Sequence, residues 1–187
     1  MMFATLRWIG LLAALLFSLP AQGAEFRIDS ATNEQLVLDM PAGWRGFTAN
    51  PEGAAVTTLA FSPAQGASFR MLVTLIPLPR DASRPPITAS DLRESTQVAA
   101  DQARSRSVEA VLTVQSLTGP QVSGVYFQAT DRAPPAGEFK HLTQGSLVVG
   151  EAVLTFTVLA NDDAPGGPEA VRRQALAALA AIRVASR

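Results

Sequence analysis

From Ala110 to Ala160 the chain carries four stretches of β-type sequence with only turns and one loop between them. That crowding constrains the fold more than any other feature. The stretches are Ala110–Leu117, Val122–Thr130, Phe139–Val149 and Ala152–Ala160. Gly119-Pro120, a loop from Asp131 to Glu138, and Gly150-Glu151 separate them. A two-residue connection such as Gly150-Glu151 joins antiparallel neighbours, because parallel strands need a long crossover. Three more strands are predicted upstream, at Glu34–Met40, Ala54–Phe61 and Phe69–Ile76. Leu36, Leu38 and Met40 share a face of the first, and Leu59 and Phe61 share a face of the second. In the third, Phe69, Met71, Val73 and Leu75 point one way while Leu72 and Ile76 point the other, which predicts an interior strand.

Two helices punctuate these runs. Thr88 with Asp91 three residues on forms a capping box, and the spacing predicts a helix over Ala89–Arg106 with a thin stripe of Leu92, Ala99 and Ala103. Pro168 at a first helical position, with Glu169 beside it, starts the second helix. Its stripe is Val171, Ala175, Leu179 and Ile182, and Arg183 and Arg187 are expected at its carboxyl end. The order is three strands, a helix, four strands, a helix. It predicts an α+β protein: an antiparallel sheet of six to seven strands covered by two helices, as an α/β/α sandwich in one domain spanning 24–187.

Ahead of that domain stands a segment of different character. Arg7, the apolar run Ile9–Leu19, Pro20 and the small residues Ala21 and Gly23 make up a secretory signal, with cleavage expected before Ala24. The apolar run falls well short of the roughly 20 residues that a membrane span needs. The expected product is periplasmic or secreted and free of a stable membrane anchor. Its 164 residues, after 23 of 187 are removed, can bury a sizeable core without disulfides, and the chain has no cysteine. That absence excludes thiol nucleophiles, thiolate metal sites and a lipid-anchored amino terminus. Loss of Arg7 leaves 14 basic against 16 acidic residues, a net charge of −2. No basic field exists for nucleic acid.

Certain stretches resemble a known group. Leu38-Asp39-Met40-Pro41-Ala42-Gly43-Trp44, Gly124-Val125-Tyr126-Phe127, and Leu154-Thr155-Phe156-Thr157-Val158-Leu159 with the alanine-rich helix after it resemble the PsbP-like fold, including the DcrB-like envelope proteins. The resemblance implies a small α/β sandwich and a non-enzymatic docking or assembly role. Many DcrB-like proteins carry an anchoring cysteine that this chain lacks.

Few residues suggest chemistry. His141 is the only histidine, and Asp131 and Ser146 lie near it in sequence. No nucleophile-elbow pattern accompanies them, so a solvent-facing strand histidine is the plainer reading. Asp162-Asp163 is the densest carboxylate pair, yet it reads as turn and helix-start chemistry rather than a metal site. Trp44 follows a glycine at a strand end and either closes the core or anchors a partner. Tyr126 shares a face with Gln128 and Thr130 and is a candidate to line a ligand surface. Arg132, with Arg80, Arg84 and Lys140, would form a basic pocket if the fold gathered them. The expected function is a non-enzymatic periplasmic binding or assembly module acting through a protein partner or apolar segment. The alternatives are a carrier of a small molecule or lipid and, third, a hydrolase. No cofactor is implied.

Overall fold

A computed structural model describes residues 23–29, 34–50, 56–76 and 86–186. Residues 1–22 of the expected signal segment 1–23, with Arg80, Arg84 and Arg187, lie outside the described residues. The main sheet has seven antiparallel strands, and helices pack against it, as the sequence predicts for an α+β sandwich. In chain order the strands are β1 (Glu25–Asp29), β2 (Glu34–Asp39), β3 (Trp44–Thr48), β4 (Thr57–Pro63) and β5 (Phe69–Ile76). After α1 (Ala89–Arg104) come β6 (Gln115–Thr118), β7 (Val122–Thr130), β8 (His141–Val149) and β9 (Ala152–Ala160). Then follow α2 (Pro168–Ala180) and β10 (Arg183–Ser186).

The large sheet has the order β3-β4-β5-β9-β8-β7-β6. The chain leaves β5, crosses the sheet through α1 to the far edge at β6, and returns by consecutive hairpins until β9 pairs with β5. α1 therefore covers β7 and β8 on one face. Thr88 and Asp91 form the predicted reciprocal cap at its start. Beneath it lie Leu92 with Val114, Val125 and Val153, and Ala100 with Leu112, Phe127 and Ala129.

The opposite face holds the main core. Phe61, Met71, Phe156, Leu147 and Leu154 meet α2 through Val171, Ala175 and Leu179. A second sheet, ordered β1-β2-β10, closes the rest of this side with Ile28, Leu36 and Leu38. Here the sequence reading is corrected. Glu34–Met40 was expected in the one large sheet, and it is instead the middle strand of the small one. Arg183 does not end α2. It starts β10 and reaches across to Asp39 and Glu25, tying the chain's end to β1 and β2. β3 also escaped the sequence reading because Gly46 interrupts it. That glycine is required: a Cβ there would sit 2.4 Å from Phe26 and 2.6 Å from Phe61, whose rings meet edge-on at 4.9 Å.

A further difference concerns Ala110–Leu117, where only Gln115 onward is strand. Val111 is 75 % exposed. The preceding residues are held across the end of β7 rather than alongside it, because Ser107 bridges to Asp131 and Glu109 accepts hydrogen bonds from Thr130.

Candidate functional site

On β7 and β8 the core-facing side changes character along its length. From the strand ends at Val149 and Val122 to the opposite ends, β8 presents Val149, Leu147, Gly145, Thr143 and His141, and β7 presents Val122, Gly124, Tyr126, Gln128 and Thr130. The antiparallel register places Gln128 opposite Thr143 and Thr130 opposite His141. Two adjacent strands thus turn polar at the same end of an otherwise apolar face. The first turn of α2, with Pro168, Glu169 and Arg172, lies over that end, and Glu109 forms a wall. Between them is a pocket of about 160 Å³, with Val158, Ala160 and Leu142 supplying apolar lining.

Most polar groups around it are already engaged. Glu109 accepts from the Thr130 N–H at 2.9 Å, from the Thr130 hydroxyl at 2.8 Å, and from the Ser107 hydroxyl. Burial pushes its carboxyl upward, but the hydrogen bonds from Ser107 and Thr130 outweigh it and hold the group at about 2, below its ordinary 4.5. Glu169 and Arg172 pair with each other on one helix face. His141 Nε2 donates to Asp162 at 2.7 Å, and Lys140 Nζ donates to the other oxygen of Asp162 at 2.7 Å. These two bonds, Lys140's first, lower the Asp162 carboxyl below its ordinary value. An ionised carboxylate only accepts, so Nε2 carries a proton, and in the neutral form of the ring Nδ1 keeps a lone pair.

Two groups are not engaged. Thr143 is 5 % exposed and lines the pocket, yet its side chain has no hydrogen-bond partner among the described residues. Gln128, half-buried beside it, has none there either. Among the described residues the side-chain hydroxyl sealed from solvent without a partner is that of Thr96, on α1 and outside this pocket, whereas the Thr143 hydroxyl opens into the pocket, free to bond whatever enters.

The residues singled out by sequence fall in different places. His141 is in the pocket, but its partner is Asp162, not Asp131. Asp131 pairs with Arg106 and caps the Ala133 N–H. Ser146 lies five positions from His141 along β8, about 17 Å away and on the other face. Those three residues form no triad. Tyr126 lies on the pocket's face, one strand position beyond Gln128, and its hydroxyl donates to Gln115 at 2.9 Å. Arg132 is exposed and donates to the Ser107 carbonyl, whereas Lys140 holds Asp162. Both cations are thus engaged by groups within the protein. Asp162 serves His141 and Lys140, and among the described residues no three His, Asp or Glu side chains converge as a metal would require. Trp44 is 8 % exposed and its ring stacks obliquely on Phe69 at 4.4 Å, so it closes the core and is not displayed to a partner.

Glu109, Gln128, Thr143 and Arg172 were missed by sequence reading. The available signal was the polar end of two strands whose inward positions are otherwise apolar.

The Glu109 anchor has a measurable consequence. Its folded value lies below its unfolded one, so its stabilisation is complete above about pH 4.5 and is lost as pH falls toward 2. Screening at this partly open site reduces the worth to about 1–2 kcal/mol. Urea unfolding at neutral pH and near pH 2 should show the wild type losing about that much more than Glu109→Gln. Equal losses in the two proteins would remove Glu109 from this role.

No family model matches the chain, and no curated protein matches it.

Proposed function

We propose that this protein is an exported, non-enzymatic binding module of the bacterial periplasm that holds a small polar molecule between α2 and the β7–β8 end of the large sheet. Export rests on the charge, apolar run and small residues of segment 1–23. No helix among the described residues is long and apolar enough to cross a membrane. The observation that carries the binding reading is that two polar side chains lining one pocket, the Thr143 hydroxyl and the Gln128 amide, make no hydrogen bond within the described residues and open into that pocket. A ligand hydroxyl or amide would supply the missing partner. This favours the small-molecule alternative over the protein-partner reading. The latter keeps one observation of its own: Phe47, on edge strand β3, is 52 % exposed. The resemblance to PsbP-like docking proteins points the same way.

Native mass spectrometry of protein released from the envelope tests the proposal. The wild type should carry an added small mass that Thr143→Val lacks. The variant should keep the wild-type stability to within about 1 kcal/mol, because the hydroxyl it loses makes no hydrogen bond within the described residues and a methyl of the same shape replaces it. A bare wild-type mass, or an adduct retained in full by the variant, would contradict it.

A further inference from the structure

We propose that the ligand is uncharged and polyhydroxylated, a short polyol or a single sugar ring. This inference rests on the binding reading above and adds the chemical class.

An anion is disfavoured at the α2 end of the pocket. Pro168 removes a backbone donor there, Glu169 already sets a carboxylate on the first turn, and Arg172 is held by that carboxylate. The Glu109 carboxylate in the wall repels a second negative charge. A cation finds no free counter-charge either. Glu109 is filled by three hydrogen bonds, Glu169 by Arg172, and Asp162 by Lys140 and His141. A charged ligand would therefore enter a partly dry site without compensation.

What remains open is the Thr143 hydroxyl, the Gln128 carboxamide and His141 Nδ1, which keeps a lone pair in the neutral form of the ring. The first two both donate and accept, and the third accepts. Hydroxyl groups, which also do both, complement such a set without stranding a donor. Sugars and polyols further present C–H faces beside their hydroxyl edges, and Val158, Ala160 and Pro168 offer apolar lining for them. The volume agrees. A cavity of similar size holds one six-membered ring, and 160 Å³ suits one ring or a short chain rather than an oligomer.

Saturation-transfer NMR on the full-length exported, untagged protein tests this, with xylitol and D-glucose as neutral probes. D-gluconate and D-glucosamine serve as charged counterparts of similar size. The neutral probes should bind, compete with one another, and weaken about tenfold in Thr143→Val and in Gln128→Leu, the loss expected when one neutral hydrogen bond goes. The charged probes should bind at least about tenfold more weakly than D-glucose. Binding of gluconate or glucosamine as tight as that of glucose would overturn the assignment. So would failure of both neutral probes to bind. If the envelope-derived protein still carries an adduct that Thr143→Val removes, the pocket reading stands and only the class falls. If it carries none, both fall together.

Discussion

Trp44→Ala should lower stability by about 3–5 kcal/mol, the range for large aromatic truncations in cores. The indole is almost fully enclosed and lies on Phe69, which pairs in turn with Ala160 beside the pocket. Its backbone is fixed by the turn before it. Gly43 adopts φ 82°, and the Trp44 N–H donates to the Pro41 carbonyl at 3.2 Å. Few alternative positions are therefore open to neighbours that might fill the void. Such a loss is a large share of the roughly 5–15 kcal/mol that holds a typical domain. The chain has two tryptophans, and Trp8 lies in the expected signal, so fluorescence of the processed protein reports on Trp44 alone. The emission should be blue-shifted and shielded from iodide, and the urea midpoint of the alanine variant should fall sharply. Red-shifted, readily quenched emission with a loss below about 1 kcal/mol would place Trp44 outside the core.

Gly145→Ala should be as damaging for a different reason. A Cβ at this position would stand 2.2 Å from the Val125 carbonyl oxygen and 2.8 Å from both the Phe156 ring and the Tyr126 Cβ. The first of these is backbone in the middle of the β7–β8 ladder, so it cannot swing aside as a side-chain tip can. Relief requires the two strands to part at this point, two residues along β8 from Thr143 of the pocket. Overpacking of well-filled interiors costs about 1–3 kcal/mol and sometimes more, and the backbone clash puts this case at the upper end. Thermal unfolding should show the loss, and amide exchange should show weakened protection along β7 and β8. A variant as stable as the wild type would mean that the two strands do not approach as closely as described.

The large sheet was legible because its central strands are long and locally periodic. Phe69–Ile76, Val122–Thr130 and Ala152–Ala160 carry their own pattern, and the Thr88–Asp91 cap is a four-residue signal. The small sheet was not legible for a physical reason. β1 has only Phe26 and Ile28 as large apolar residues, β10 is four residues long, and both depend on pairing with β2 from opposite ends of the chain. Arg183 looked like a helix-terminal charge because nothing local reveals the carboxylates of Glu25 and Asp39 waiting far away in sequence. The pocket was half legible. His141 stood out by its chemistry, whereas Thr143 and Gln128 are ordinary strand residues until the register and α2 enclose them. Asp162 was noticed for its charge but not as the partner that orients His141, because that bond joins β8 to the turn after β9.

If the His141–Thr143–Gln128 pocket binds a sugar, the chain's single histidine reports its occupancy directly. The measurement is the imidazole nitrogen spectrum of untagged, nitrogen-15-labelled protein, recorded with and without D-glucose at neutral pH. The free protein should show the Nε2–H tautomer, because Asp162 accepts from that nitrogen, and the Nδ1 signal should shift on addition of the sugar, with about tenfold more sugar needed for the same shift in Thr143→Val. An Nδ1–H tautomer, or an Nδ1 signal that the sugar leaves unmoved, would contradict this reading of the site.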